Sequence, residues 1–323
     1  MKLDARSLAG SPVLVTGGAG FIGSHLVEAL VSAGARVAVL DDLSSGRREN
    51  LAGVAARIEL LTGDVRDLEA CARACAGRDL VFHLAAMTSV QRSLAEPAEC
   101  YAVNAQGTVN VLEAARRAKV RRVVFASSCA VYGDSSAVPA REGFEGRVLS
   151  PYAATKRASE EAAAFYGAAF GLETVALRYF NVYGERQDPA GPYAAVVPRF
   201  LAAALAGQPP VIYGDGEQTR DFLAVEDAVQ ANLRAAVAPA TACGTVYNIG
   251  SGEETSVLEL AALAARLAGG PPPVHEPARA GEVRHSCADI SRATAALGYA
   301  PSVELEAGLR RCLAALRGGL RPG

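Results

Sequence analysis

Pro12-Val13-Leu14-Val15-Thr16, followed at once by Gly17-Gly18-Ala19-Gly20-Phe21-Ile22-Gly23, most narrows what this chain can become. The first five residues read as a buried strand. Leu26, Val27, Leu30 and Val31 then recur at helical spacing. Strand, glycine turn and helix, in that order, open a βαβ unit. The spacing of Gly17, Gly20 and Gly23 permits a tight turn and brings backbone N–H groups and a helix N-terminus against a pyrophosphate. An ordinary glycine-rich turn is the alternative, but the position at the head of a βαβ unit favours the phosphate site.

The alternation continues. Val37–Leu40, Ile58–Leu61, Leu80–Ala86 and a run from Val123 read as strands, and 96–118 and 151–170 as long apolar-faced helices. This predicts an α/β chain with a doubly wound parallel (Rossmann) sheet over residues 1–180. Residues 181–323 change character, with punctuation at Gly191-Pro192, Pro209-Pro210 and Pro271-Pro272-Pro273. They read as a smaller C-terminal substrate-binding domain, with a return of the last strand and helix to the sheet left open.

The strand ends carry polar residues where ligands of such sheets sit. Asp41 and Asp42 close the second strand; an acid there bonds ribose hydroxyls and repels a 2′-phosphate, favouring NAD over NADP. Arg47 and Arg48 follow Ser45 and Gly46 in a polar loop that reads as solvated, with acceptance of a 2′-phosphate as the alternative. Asp64 ends the third strand beside an adenine pocket, with a helix N-cap as the compatible alternative. Ala85 and Ala86 are small enough for a cofactor to approach. His83, inside an apolar run, reads as a satisfied core histidine. Asn104, on an apolar helix face, needs a partner. The cofactor set expected from this path is Gly17, Gly20, Phe21, Ile22, Gly23, Asp41, Asp42, Ser45, Gly46, Asp64, Val65, Leu84, Ala85, Ala86 and Asn104.

Ser150-Pro151-Tyr152-Ala153-Ala154-Thr155-Lys156 supplies candidate chemistry. Residues four apart share a helix face. An ammonium one turn away favours phenolate over phenol, so Tyr152 is expected to exchange protons near neutrality, with Lys156 lowering its pKa. A chance pair is the bland reading. Against it, the 32 basic residues include only three lysines, Lys2, Lys119 and Lys156. A chain that uses arginine almost everywhere keeps lysine here, where arginine could not titrate. Ser127 and Ser128, at the end of the fifth strand, are placed to bond a substrate oxygen, with capping of the following turn as the alternative that nearby Tyr152 counts against. Tyr152 and Lys156 also belong to the cofactor set.

Half of the 323 residues are hydrophobic, and the formal charge of −2 comes from interspersed signs. This provides for a large core and gives no electrostatic footprint for nucleic acid or an anionic membrane. With no long apolar run or charged leader, a soluble cytoplasmic protein is expected. The seven scattered cysteines read as reduced and mostly buried; Cys71 and Cys75 lack the further ligands of a zinc site. No metal is expected.

Together the glycine turn, Asn104, Ser128, Tyr152 and Lys156 resemble the extended short-chain dehydrogenase/reductase superfamily over nearly the whole chain. The C-terminal half is most similar to 4-epimerases of UDP-hexoses. That resemblance implies UDP-sugar contacts from Tyr179, Asn181, Val197, Tyr213, Arg220, Arg279, Glu282 and Ser286. Planar arginine donors suit a pyrophosphate, and surface salt bridges are the alternative for Arg220 and Arg279. It also implies a homodimer through a four-helix bundle made by the two long helices. Sugar-nucleotide dehydratases of this superfamily usually carry Asp-Glu after the serine, and decarboxylases a nearby Glu. Cys129 and Ala130 stand here instead, which disfavours both reactions. The small Ser286 implies room for a 2-acetamido group. The alternatives are a UDP-glucuronate 4-epimerase, for which no carboxylate anchor is found, a non-catalytic NAD-binding regulator, and a reductase with exchangeable cofactor.

Overall fold

A computed structural model describes residues 5–189, 194–278 and 283–319. The first half runs β1 (Pro12–Thr16), α1 (Phe21–Ser32), β2 (Arg36–Asp41), β3 (Ile58–Thr62), α2 (Leu68–Cys75) and β4 (Leu80–His83). It continues through α3 (Val90–Ala95), α4 (Pro97–Cys100), a π-helical turn (Tyr101–Gln106), α5 (Gly107–Arg117), β5 (Arg122–Ser128) and α6 (Pro151–Phe170). Then come β6 (Glu173–Tyr179), β7 (Asn181–Tyr183), α7 (Val196–Leu205), β8 (Val211–Tyr213), β9 (Thr219–Arg220), β10 (Phe222–Ala224) and α8 (Val225–Val237). The described chain closes with β11 (Thr245–Ile249), β12 (Thr255–Ser256), α9 (Val257–Ala268), β13 (Val274–Glu276), α10 (Ser291–Leu297) and α11 (Leu305–Gly319).

Seven parallel strands form the central sheet in the order β11-β6-β5-β4-β1-β2-β3. The order reverses between β1 and β4, so the cleft of the doubly wound sheet opens at their carboxyl ends. Both faces are covered, which is why the strands are apolar throughout. Leu26, Val27 and Leu30 of α1 pack with Ala228 and Val229 of α8 on one face. Cys71 and Cys75 of α2, Val111 and Leu112 of α5 and Ala163 of α6 cover the other. A smaller core joins Phe200 and Leu201 of α7, Ile212 of β8, Leu260 of α9 and Leu309 of α11.

Residues 225–249 return from beyond β7 to the main sheet: α8 lies on it and β11 extends its edge. Buried Arg122 of β5 fixes that return by donating to the carbonyls of Ala235, Ala236 and Ala238, the otherwise orphaned acceptors at the end of α8. The helix expected over 96–118 differs in one respect. Its interior is a π-helical turn centred on Asn104, and such turns mark a local demand that regular α-helix cannot meet.

Candidate active site

Sterics shape the phosphate end of the cleft. A Cβ on Gly17, whose φ is +70°, would lie 2.6 Å from the Ala85 amide nitrogen, and one on Gly23 would lie 2.1 Å from the Gly17 carbonyl. Turn, helix and the strand β4 exit therefore meet at contact distance, which only glycine permits. No side chain caps the start of α1, which leaves its first-turn amides to a ligand. Half-buried Phe21 and Ile22 open that helix beside half-buried Leu84, Ala85 and Ala86. Buried Asp41 accepts from the Ala19 amide at 2.8 Å, tying the end of β2 to the turn, and burial pushes its carboxyl above the ordinary range. This set fits a dinucleotide: free amides for the pyrophosphate and a carboxylate at the ribose position.

The flanking residues sort differently. Asp42 is exposed and bonds Ser44; Ser45 is exposed and Gly46 packs on Ala19. Arg47 pairs with Asp188 at 2.8 Å and Arg48 donates to Thr62, so both arginines of the loop have protein partners. Asp64 pairs with Arg66, which holds its carboxyl below the ordinary range. The N-cap of α2 is Asp67 and not Asp64. Val65 is buried, and its carbonyl accepts from Asn110.

Ser150 caps α6 and Pro151 begins it, the pattern that starts a helix sharply. Tyr152 and Lys156 thereby fall one turn apart, both buried. The Tyr152 phenol faces Ser128, whose hydroxyl accepts from the Ala130 amide at 3.2 Å. Lys156 donates to the Ala126 carbonyl at 2.7 Å, with its nitrogen 5.9 Å from the Tyr152 ring centre. The expected lowering of the tyrosine does not appear: burial dominates and pushes the phenol up to about 12, with the nearby Ser128 hydroxyl opposing it. Burial instead pushes Lys156 down to about 8. Desolvation of a charged form outweighs a neighbouring charge that is itself desolvated.

Three further expectations are revised by geometry. Ser127 is turned from the cleft and donates to Glu160. Asn104 spends its side chain within the protein, accepting from the Met87 amide and donating to the Met87 carbonyl and Thr155. It fastens the exit of β4 to α6, which is the demand the π turn meets. Tyr179 lies in the core against α8, and its hydroxyl accepts from Asn232 at 2.7 Å. His83 is buried between Thr16 and Thr108, and burial pushes its imidazole down to about 3. It is neutral and fully bonded.

The substrate end is tied by Asp221, which sequence reasoning missed although it follows Arg220 directly. Its fully buried carboxylate accepts from Ser251 (amide and hydroxyl), Gly252 and Ala288. Its carbonyl accepts from the Asn181 amide and side chain, and its amide donates to the Ser286 carbonyl at 2.8 Å. Asn181, Arg220 and Ser286 are thus gathered at one knot. Arg220 is half-buried, donates to the Thr219 carbonyl, and acts electrostatically on Cys129 beside Ser128. Tyr213 closes β8 beneath the Arg199 guanidinium, 6.0 Å from its ring centre. Val197 packs its side chain in the small core. Arg279 and Glu282 lie outside the described residues. A buried acid among strand residues was the available signal for Asp221, hidden by the louder arginine before it.

A model of the "NAD dependent epimerase/dehydratase family" matches residues 13–250. The chain is 43% identical to a UDP-glucose 4-epimerase of Mycolicibacterium smegmatis, over 92% of this chain and 96% of that one. Among solved structures it is similar to the UDP-glucose 4-epimerase of Thermotoga maritima with UDP-glucose (TM-score 0.91, 38% identity, 96% of this chain and 100% of that one). It is also similar to the UDP-N-acetylglucosamine 4-epimerase of Methanobrevibacter ruminantium in complex with UDP-N-acetylmuramic acid (TM-score 0.92, 36% identity, 97% and 100%).

Proposed function

Since this chain belongs to the NAD dependent epimerase/dehydratase family, we propose that it is an NAD-dependent 4-epimerase of UDP-hexoses, interconverting UDP-glucose and UDP-galactose. The observation that carries this reading is the composition of the reacting corner. Tyr152, Ser128 and Lys156 converge there, and the next two positions, Cys129 and Ala130, add no acid or base. Burial pushes the Cys129 thiol up to about 11, so it stays protonated. Loss of water or of a carboxylate needs a further proton-transfer group at neighbouring carbons; one hydride removed and returned does not.

NAD, which the Gly17–Gly23 turn and Asp41 would hold, would supply the acceptor and donor for the carbon-4 hydride and a positive charge that favours the phenolate. Tyr152 removes the proton of the 4-hydroxyl and later restores it. Ser128 bonds the same oxygen and holds it against the tyrosine. Lys156 keeps positive charge one turn behind. Asn181, Tyr213 and Arg220, with Arg279 and Glu282, hold the UDP portion, so the 4-keto sugar turns over while still tethered. General acid–base groups contribute roughly 10²–10⁴-fold to rate. Tyr152→Phe should therefore lose about 10³-fold in turnover with UDP affinity unchanged within a few-fold; wild-type turnover in that variant would remove the mechanism.

The small Ser286 beside Arg220 supports acceptance of UDP-GlcNAc and UDP-GalNAc as well. Exposed Tyr101, Phe165 and Phe170 on the π turn and α6 support a homodimer built on those helices. Among the described residues no helix is long and apolar enough to cross a membrane. The deciding experiment incubates the purified protein with UDP-glucose and, separately, UDP-GlcNAc, without added reductant, and follows the anomeric protons by NMR. Both galacto products are expected. Conversion of UDP-glucose alone would discard the acetamido reading, and conversion of neither would discard the epimerase.

A further inference from the structure

Three consecutive turns of α6 grip the carboxyl end of β5. The Tyr152 phenol faces Ser128, Lys156 donates to the Ala126 carbonyl, and Glu160 accepts from the Ser127 hydroxyl. Only the first two turns carry the chemistry above. The third places a carboxylate, 8% exposed, where burial is costly without a partner. The partner is Arg178 of β6, itself 4% exposed. Its Nε and Nη2 reach the two Glu160 oxygens at 2.8 and 2.7 Å, fork to fork. Arg178 also pairs with Glu145 and lies 4.9 Å from the Tyr132 ring centre. Tyr132 in turn donates to Asn248 of β11 at 2.6 Å. The brace therefore spans α6 and the three strands β5, β6 and β11.

We propose that Glu160 and Arg178 are positioning residues for the Tyr152–Lys156 pair, locking α6 in register on β5 and holding negative charge one turn behind the Lys156 ammonium. This rests on reading those two residues as the reacting pair. Pinning Ser127 to Glu160 fixes where β5 ends against α6, and with it the position of Ser128 relative to Tyr152. The charge argument follows from the neighbours of Lys156. These are Tyr152 and Glu160 on its own helix, Cys100 on α4 and His83 on β4. Burial keeps the Cys100 thiol protonated and the His83 imidazole neutral. Glu160 is the full negative charge in that set. Arg178 divides its charge between Glu160 and Glu145, so the three groups sum to one negative charge.

Only three lysines occur in the chain, so ¹³Cε-lysine labelling gives three signals, with Lys156 assigned from Lys156→Met. In Glu160→Gln the Lys156 signal should titrate about one pH unit lower than in the wild type. The kcat of epimerisation should fall on the order of 10-fold with KM within two-fold, and its pH profile should move with the NMR titration. Glu160→Gln/Arg178→Met/Glu145→Gln removes all three charges, leaves no lone buried ion and serves if the single variant does not fold; the same displaced titration is expected. An unmoved Lys156 titration overturns the proposal, whatever happens to Tm or rate. The NMR readout needs no turnover, so a displaced titration in a protein that fails to epimerise would sink the epimerase reading alone.

Discussion

At the cofactor end of the cleft, a Cβ on Gly23 would lie 2.1 Å from the Gly17 carbonyl, and the turn is held by backbone fit. At the substrate end, Asn181 and Ser286 bond the backbone of Asp221, next to Arg220, and the buried Asp221 carboxylate is held by partners 30 to 67 residues away. The first end is a shape that the local sequence enforces. The second is a set of polar contacts that exists only once distant loops meet. A short-range constraint breaks when one atom is added, whereas a long-range knot breaks when one charge is removed.

Gly23→Ala should have the largest effect. The added methyl cannot fit, and overpacking of this kind costs about 1–3 kcal/mol or more. We expect NAD affinity to fall at least about 100-fold, read by cofactor titration, while UDP still binds. Retained NAD would show that the turn yields. Asp221→Asn is the complementary break. An amide donor would face backbone N–H groups that now donate to a carboxylate, at about 1.5–3 kcal/mol for each charge-assisted bond lost. UDP affinity should drop on the order of 10–100-fold with NAD binding kept; equal losses at both sites would erase the distinction between the two ends.

Acid sharpens the same contrast. His83 ties Thr16, just before the glycine turn, to Thr108 of α5, and its folded value of about 3 lies below the ordinary 6.5. Between those values the unfolded chain binds a proton that the native protein refuses. Stability should therefore fall as pH drops from about 6.5 toward 3, by on the order of 1 kcal/mol per unit. Denaturant midpoints against pH measure it. A slope as steep in His83→Asn would assign the acid sensitivity to other groups. Ser286→Tyr is the mildest change. It should cost the acetamido sugars about 10-fold in kcat/KM relative to UDP-glucose, and equal loss on both would remove Ser286 as the gate.

Much of the catalytic corner was legible beforehand because its signals are local. Tyr152 and Lys156 share a face by helical period alone, and Ser150-Pro151 marks where that helix begins. The arginine-rich composition made Lys156 stand out. Asn104 was legible as a polar residue needing a partner, but not as one whose partners would be Met87 and Thr155. Tyr179 sits beside Arg178 and Phe180 in a stretch that reads as substrate contact. Strand alternation sends it to the α8 face instead.

The sequence alone determined the sheet-and-helix alternation, the glycine turn and the one-turn pairing of tyrosine with lysine. These depend on backbone freedom and periodicity among near neighbours. The tertiary structure alone decided which ionisable groups are desolvated and what they meet. Tyr152 is raised and Lys156 lowered, Glu160 is matched by Arg178, and Asp221 becomes the centre of a knot. The physical reason is that the free energy of a buried charge is set by everything within a few ångströms of it, and folding draws those neighbours from strands and loops far apart in the chain.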